Sequence, residues 1–279
     1  MDVIAAIYGN EKDRERNFRE FLECLANQTR DDFNVYIVEQ YADRAYYREL
    51  VKNTYRYSYI AIQGEPFSLP WCFNVGIKQS DSDLLVFMGS GGVFGDKFIE
   101  SMMDFPDDYG VGWNELLYLN EIGTQEYISM RKTMHYHNIE YPWNVLWDYC
   151  NKAEFKQRKN RAPLVGGSCG FAMIFKRSLI SEKLGGFNEN FVNWGGDEVD
   201  MAQRAKAATG IKVHSVPNNV IHLHHKSRLP RSDYQSNILY GTTVRKPLEV
   251  SALLLNADLG NPDHRTEIDV SDLVACMRV

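Results

Sequence analysis

The chain has 279 residues, 44% of them hydrophobic and 24% charged, a composition that excludes disordered, collagen-like and low-complexity classes. Lys and Arg number 31 against 37 Asp and Glu, and the net charge of -6 argues against a broad basic face for nucleic acid while leaving room for a local cationic pocket. The length suits one large or two small domains with an ample core.

Met1 to Tyr8 is a nearly continuous apolar run ending in Gly9-Asn10, the pattern of a buried parallel strand. From Glu11 to Gln28, Phe18, Phe21, Leu22 and Leu25 recur at helical spacing. Val35 to Val38 predicts a second strand ending at Glu39-Gln40, Tyr59 to Gln63 a third, and Leu69 to Lys78 a helix. Leu84 to Met88 is a fourth strand, stopped by Gly89-Ser90-Gly91-Gly92. This alternation predicts an α/β fold with a doubly wound, mostly parallel sheet flanked by helices. Ligands of such sheets bind beyond the carboxyl ends of the strands, where loops 8–10, 39–40, 63–68 and 89–92 would gather.

Between Gly110 and Arg161 the pattern loosens and becomes rich in Tyr, Trp and Asn. There His135-Tyr136-His137 would share at most one strand face in a structural role, and Tyr141 to Trp147 suits core packing or an acceptor groove. Order returns at Phe171 to Phe175 and in a helix near Gly196 to Ala208, and the polar tail after Arg228 holds one last helix capped by Ser271. No GxGxxG or GxxxxGK[ST] occurs, so dinucleotide and Walker readings fail. No run of about 18 apolar residues predicts a membrane span, and Asp2 sits where a signal peptide would carry lysine. Cys24, Cys72, Cys150, Cys169 and Cys276 are scattered without a CxxC, which predicts reduced thiols and a cytoplasmic protein.

The densest segment runs from Gly185 to Asp200. Its two Gly-Gly pairs permit close backbone approach to a ligand, and Trp194 offers a flat apolar face of the kind that packs on sugar rings. Asp197 and Glu198 fall in the first turn of the following helix, where the macrodipole favours carboxylates; they either cap that helix or do chemistry.

This segment resembles the Trp-Gly-Gly-Glu-Asp signature of the β-1,4-galactosyltransferases and related inverting GT-A glycosyltransferases. Other pieces follow in the same order. Tyr8-Gly9-Asn10 with Asn17-Phe18 and Phe21-Leu22 resembles the family's uridine-binding first turn and helix, and Val35 to Gln40 its second strand. Phe73 to Ile77 resembles its Leu-Asn-Val-Gly-Phe helix, and Gly166-Gly167-Ser168 with Phe171 to Lys176 its Gly-Gly strand. The resemblance covers about 1–104 and 163–228. It implies a single GT-A (Rossmann-like) domain over 1–228, with a nucleotide-binding half (1–104) and an acceptor and catalytic half (105–228). Residues 229–279 would pack on it as an extension.

The resemblance implies sugar transfer with inversion from a UDP-linked donor to a glycan or other hydroxyl acceptor. Glu198 takes the base position and Asp197 grips sugar hydroxyls. Tyr8, Gly9, Glu39, Asn74, Gly89, Ser90, Gly91, Lys226 and Arg228 fall at donor positions; Gly167, Trp194, Gly195 and Gly196 fall at sugar or acceptor positions. The family's divalent cation (Mn²⁺ or Mg²⁺) sits on an Asp-x-Asp motif after the fourth strand, where this chain has Gly89, Ser90 and Gly91. Asp81-Ser82-Asp83 precedes that strand and reads as a solvated turn. His222, His224 and His225 lie near the family's metal-binding His; without carboxylate partners they suit phosphate binding or packing, so no metal ligand is assigned. Lys226, Arg228 and Arg231 either replace the metal or form a solvated basic turn. The alternative to an active, metal-independent enzyme is an inactive GT-A module that binds nucleotide-sugar or glycan. A nucleotidyltransferase fits less well, because no phosphate-cradling Gly-rich loop carries a basic residue.

Overall fold

The computed structural model describes residues 1–51, 57–137, 142–162, 171–193, 195–226 and 247–267. Strand β1 (Asp2–Tyr8) is buried along almost its whole length because it is an interior strand. It pairs in parallel with β2 (Asn34–Tyr41) on one side and β4 (Leu84–Gly89) on the other, and β2 pairs in parallel with β3 (Tyr57–Gln63). Helices α1 (Lys12–Ala26) and α3 (Leu69–Gln79) provide the crossovers. Phe18, Phe21, Cys24 and Leu25 form the buried stripe of α1. Ser68 caps α3 by accepting from the Trp71 N–H at 3.3 Å. In α3, Gly76 faces β1 so closely that a Cβ there would overlap Cγ2 of Ile4. That approach is a packing reason for glycine in Phe73–Ile77.

The seven-stranded sheet has the order β10-β6-β9-β4-β1-β2-β3, with β6 at Tyr109–Val111, β9 at Ala172–Lys176 and β10 at His214–Ser215. Strand β9 runs antiparallel to both its neighbours, so the sheet is mostly parallel. Short helices α2 (Arg48–Val51), α4 (Glu100–Met103) and α7 (Arg177–Ile180) complete the connections around it. Strand β2 runs through Glu39 and Gln40 and ends one residue beyond them, at Tyr41.

The region expected to be loose is ordered. It contributes β6, β7 (Glu115–Leu119), α5 (Glu121–His137), α6 (Trp143–Cys150) and β8 (Lys156–Arg161). A second sheet forms there, in the order β5-β11-β7-β8, with β5 at Gly92–Phe94 and β11 at Asn219–His222. The sequence concealed β8 because an edge strand of Lys, Gln, Arg and Asn carries no apolar alternation. The His135 to His137 stretch is the last turn of α5, not a strand, and Tyr136 is exposed. Trp147 is in the core, and Trp143 donates from Nε1 to the Asn219 carbonyl at 3.1 Å. Tyr141 lies outside the described residues.

Helix α9 (Pro247–Leu255) packs against α8 (Asp197–Thr209), and the Trp71 indole donates to the Asn261 carbonyl at 2.7 Å. The helix expected after Ser271 lies outside the described residues. Cys24, Cys72 and Cys150 are buried free thiols, and burial pushes Cys24 and Cys150 up to about 12. Cys169 and Cys276 lie outside the described residues. Among those described, no helix is long and apolar enough to cross a membrane.

The Gly76→Ala variant should lose about 1–3 kcal/mol of stability, because the added methyl must displace Ile4 or α3. Denaturant unfolding checks this, and a loss under about 0.5 kcal/mol would show that the contact yields freely.

Candidate functional site

The carboxyl ends of the parallel strands gather as expected. Past β1, Gly9 has a φ of +85°, and Tyr47 donates from its hydroxyl to the Gly9 carbonyl at 2.7 Å. The Tyr8 ring stacks on Phe67 with centroids 4.7 Å apart. The 64–68 loop then meets the segment leading into α8: Asn193 N–H donates to the Phe67 carbonyl at 2.6 Å, and Ser68 Oγ donates to the Phe191 carbonyl at 2.9 Å. These bonds bring the start of α8 to the same end of the sheet as Tyr8.

Gly195 and Gly196 turn the chain into α8 with φ of +88° and +87°, a region L side chains rarely adopt. Three acids follow in the first turn, and the structure separates them. Asp200 is ion-paired with the buried Arg204 at 2.8 Å, and Arg204 also donates to the carbonyls of Leu184 and Gly186. Asp197 is 6% exposed, and its Oδ2 has no hydrogen-bond partner among the described residues. Burial, then the charge of Glu198, pushes its carboxyl up to about 8. Glu198 is half-buried, and its charge also acts on the Tyr118 phenol, which burial raises first.

Tyr118 ends a column of rings. It stacks on His222 with centroids 4.9 Å apart, and His222 lies 5.4 Å from His225. Burial, then the charge of His225, lowers His222 to about 3; burial, then Arg14, lowers His225 to about 4. Both imidazoles are therefore neutral at physiological pH. His224 is held by its backbone: its N–H donates to Thr124 Oγ1 at 2.8 Å, and its carbonyl accepts from Arg16 and Asn17. Lys226 is exposed, and its N–H donates to Asp13 at 2.7 Å.

The Gly89–Gly91 turn lies against this column. A Cβ on Gly91 would sit 3.1 Å from His222 Nε2, whereas one on Gly89 would meet nothing within 4 Å. The donors here are one hydroxyl, one imidazole and backbone carbonyls, a set that does not fit a hard divalent cation. Among the described residues no group of three or more His, Cys, Asp or Glu could hold a metal. Asp81-Ser82-Asp83 lies at the opposite end of β4, with Asp81 and Asp83 exposed, as a solvated turn would be.

Two residues placed at donor positions, Glu39 and Asn74, are engaged within the fold. Glu39 is buried and faces its own loop, accepting from the N–H groups of Tyr46 and Tyr47 at 2.7 and 2.9 Å and from the Tyr59 hydroxyl. Asn74 is equally committed: it donates to the Phe187 carbonyl and Glu189, and accepts from Phe187 N–H, all at 2.8–2.9 Å. The first glycine pair also serves packing rather than a ligand. Cβ atoms on Gly185 and Gly186 would lie 2.5 Å from the Leu255 nitrogen and 2.7 Å from Asn74 Oδ1. Gly167, Trp194, Arg228 and Arg231 lie outside the described residues. Sequence reasoning missed Tyr118, Arg158 and Glu189, which carry no motif; the basic run on β8 was the one visible signal.

The family model described as the N-terminal domain of galactosyltransferase matches residues 150–226, a little over a quarter of the chain. No curated protein matches the chain in sequence. Among solved structures, S. aureus TarS 1–349 is 13% identical with a TM-score of 0.51, over 91% of this chain and 68% of that one. Its complex with UDP-GlcNAc gives 14% and 0.55, over 92% and 67%. GalNAc-T7 with UDP, GalNAc and Mn²⁺ gives 11% and 0.55, over 87% of this chain but 47% of that one. The chain thus has the GT-A fold of these solved structures, and the segment that matches the galactosyltransferase model takes in β8, β9, the head of α8 and β11.

The raised Asp197 carboxyl has a signed consequence. The folded state keeps this proton to about 8 while the unfolded chain releases it near 3.8, so the residue costs stability increasingly as pH rises between those values. Asp197→Asn should therefore raise the melting temperature more at pH 8 than at pH 4. Equal shifts at both pH values would show that Asp197 ionises normally.

Proposed function

We propose that the chain is an inverting glycosyltransferase that moves a sugar from a UDP-linked donor to an acceptor hydroxyl, with Glu198 as general base. The observation that carries this reading is the placement of two unlike acids at the head of α8. Asp197 holds its proton through the neutral range, leaving Glu198 as the member of the pair suited to accept one. TarS binds UDP-GlcNAc and GalNAc-T7 binds UDP, which supports UDP as the nucleotide of the donor.

The acceptor hydroxyl gives its proton to the Glu198 carboxylate as its oxygen attacks the anomeric carbon. The new C–O bond forms as the bond from that carbon to the diphosphate breaks on the opposite face. UDP leaves with the electron pair, and the configuration inverts. Asp197, as a neutral acid, donates to a sugar oxygen. Gly195 and Gly196 bring backbone close to the sugar, and Trp194 and Gly167 are assigned to the sugar or acceptor by the family resemblance alone. Tyr8 and Gly9 take the nucleoside, and the Gly89–Gly91 turn receives the diphosphate. Lys226 and Arg228 supply positive charge in place of a metal. Residues 1–104 serve the nucleotide and 105–228 the acceptor, with 229–279 as an extension of the same domain. The buried free thiols support a cytoplasmic setting.

One observation favours a second reading, an inactive GT-A module that binds nucleotide-sugar or glycan: the Gly89–Gly91 turn has no carboxylate. UDP release from a panel of UDP-sugars, with and without acceptors, separates the two. Glu198→Gln should lower transfer by about 10²- to 10⁴-fold while UDP affinity is kept. UDP should bind equally in excess EDTA and in Mn²⁺, and calorimetry showing binding only with Mn²⁺ would contradict the metal-independent reading. Wild-type turnover in the Gln variant would remove Glu198 as the base.

A further inference from the structure

A departing diphosphate needs positive charge beside it, and among the described residues the imidazoles beside the Gly89–Gly91 turn do not provide it. His222 and His225 are neutral, because burial excludes the imidazolium form of each. Arg14 is engaged with Glu11 at 3.3 Å. On β8, Lys159 and Arg161 are both spent on Glu115, at 2.8 and 3.0 Å.

Arg158 differs from all of these. The β7–β8 register sets it opposite Tyr118, and its guanidinium lies 3.9 Å from the centre of the Tyr118 ring. Tyr118 in turn stacks on His222, whose Nε2 faces Gly91. Arg158 is exposed, and among the described residues no carboxylate pairs with it. Arg158 also hydrogen-bonds the Tyr118 side chain, and a guanidinium, with five N–H donors in a planar fork, keeps others at its edge to grip phosphate oxygens. The Glu198 charge acts on the same ring, so acid and cation share one aromatic neighbour.

We propose that Arg158, held on the Tyr118–His222 stack, is a further counter-charge for the donor's diphosphate, sharing with Lys226 and Arg228 the functional place of a metal ion. This rests on the UDP-donor reading above and extends it to a residue outside the loop after β11. It also gives the edge strand β8 a reason to be basic in a chain of net charge -6.

The test is calorimetric titration of UDP and of uridine, in excess EDTA, into the wild type, Arg158→Ala, Arg158→Lys and Lys226→Ala. Arg158→Ala should weaken UDP about 10- to 100-fold, the range of a lost charged hydrogen-bond pair, and leave uridine unchanged. Arg158→Lys should recover part of the loss, since it restores the charge but not the fork. Thermal melts of the exposed variants should match the wild type. Wild-type UDP affinity in Arg158→Ala would overturn the proposal while leaving the donor reading intact. Equal losses for UDP and uridine would also overturn it, since the effect would then not be on phosphate. Failure of the wild type to bind UDP would overturn the donor reading itself, and this proposal with it.

Discussion

The buried carboxylate of Glu189 has no exposed surface, yet three parts of the chain converge on its two oxygens. Oε1 accepts from Asn74 on α3 at 2.9 Å and from Gly260 N–H at 2.7 Å, and Oε2 accepts from Thr266 N–H at 2.8 Å. Its own carbonyl accepts from Arg265 at 2.8 Å. Burial raises the carboxyl, which measures the cost of placing it there, while the donors and Arg265 work against that rise. Removing it would leave two buried N–H donors, of Asn74 and Gly260, short of a partner at about 1–3 kcal/mol each, and the half-buried Thr266 N–H as well. The segment between α7 and α8 is thereby tied to α3 on one side and to the C-terminal segment on the other. The acids at the head of α8 inherit their position from that tie.

Rigidity behind the site leaves its mouth free to be defined by charge and shape. Asp200 is ion-paired with Arg204, Asp197 is buried, and the charge of Glu198 acts on Tyr118. On the other wall, glycine at 91 lets His222 approach where a longer side chain would begin. With neutral imidazoles and no carboxylate in the Gly89–Gly91 turn, the described residues there have little hold on a hard cation. Guanidinium chemistry suits it better, because the charge is permanent and requires no ligand cage.

The parallel half of the fold was legible because its strands are long, apolar and separated by amphipathic helices; β1, α1, β3, α3 and β4 fall where periodicity puts them. The second sheet was not. Its strands are short, and β8 at its edge has almost no apolar residue to mark it. The head of α8 was legible through its glycines and acids, since a positive-φ entry and a first-turn carboxylate both leave a sequence trace. Glu39 and Asn74 were placed at donor positions because their order along the chain matches a family pattern, and the sequence does not show how both are engaged within the fold. Whether an amide is spent on its own fold, as Asn74 is on Phe187 and Glu189, depends on partners more than a hundred residues away. Arg158 is hidden for the same reason, since only the β7–β8 register sets it beside Tyr118 and, through that ring, His222.

The central claim is that a GT-A site with Gly89, Ser90 and Gly91 at its metal position still receives a nucleotide diphosphate. A crystal structure of the protein soaked with UDP tests it most directly. The account predicts the uridine beside Tyr8 and Gly9, and the diphosphate at the Gly89–Gly91 turn within hydrogen-bond reach of a side-chain cation and without a bridging metal. Density for UDP elsewhere on the molecule, or for a divalent ion bridging the phosphates to the protein, would contradict it.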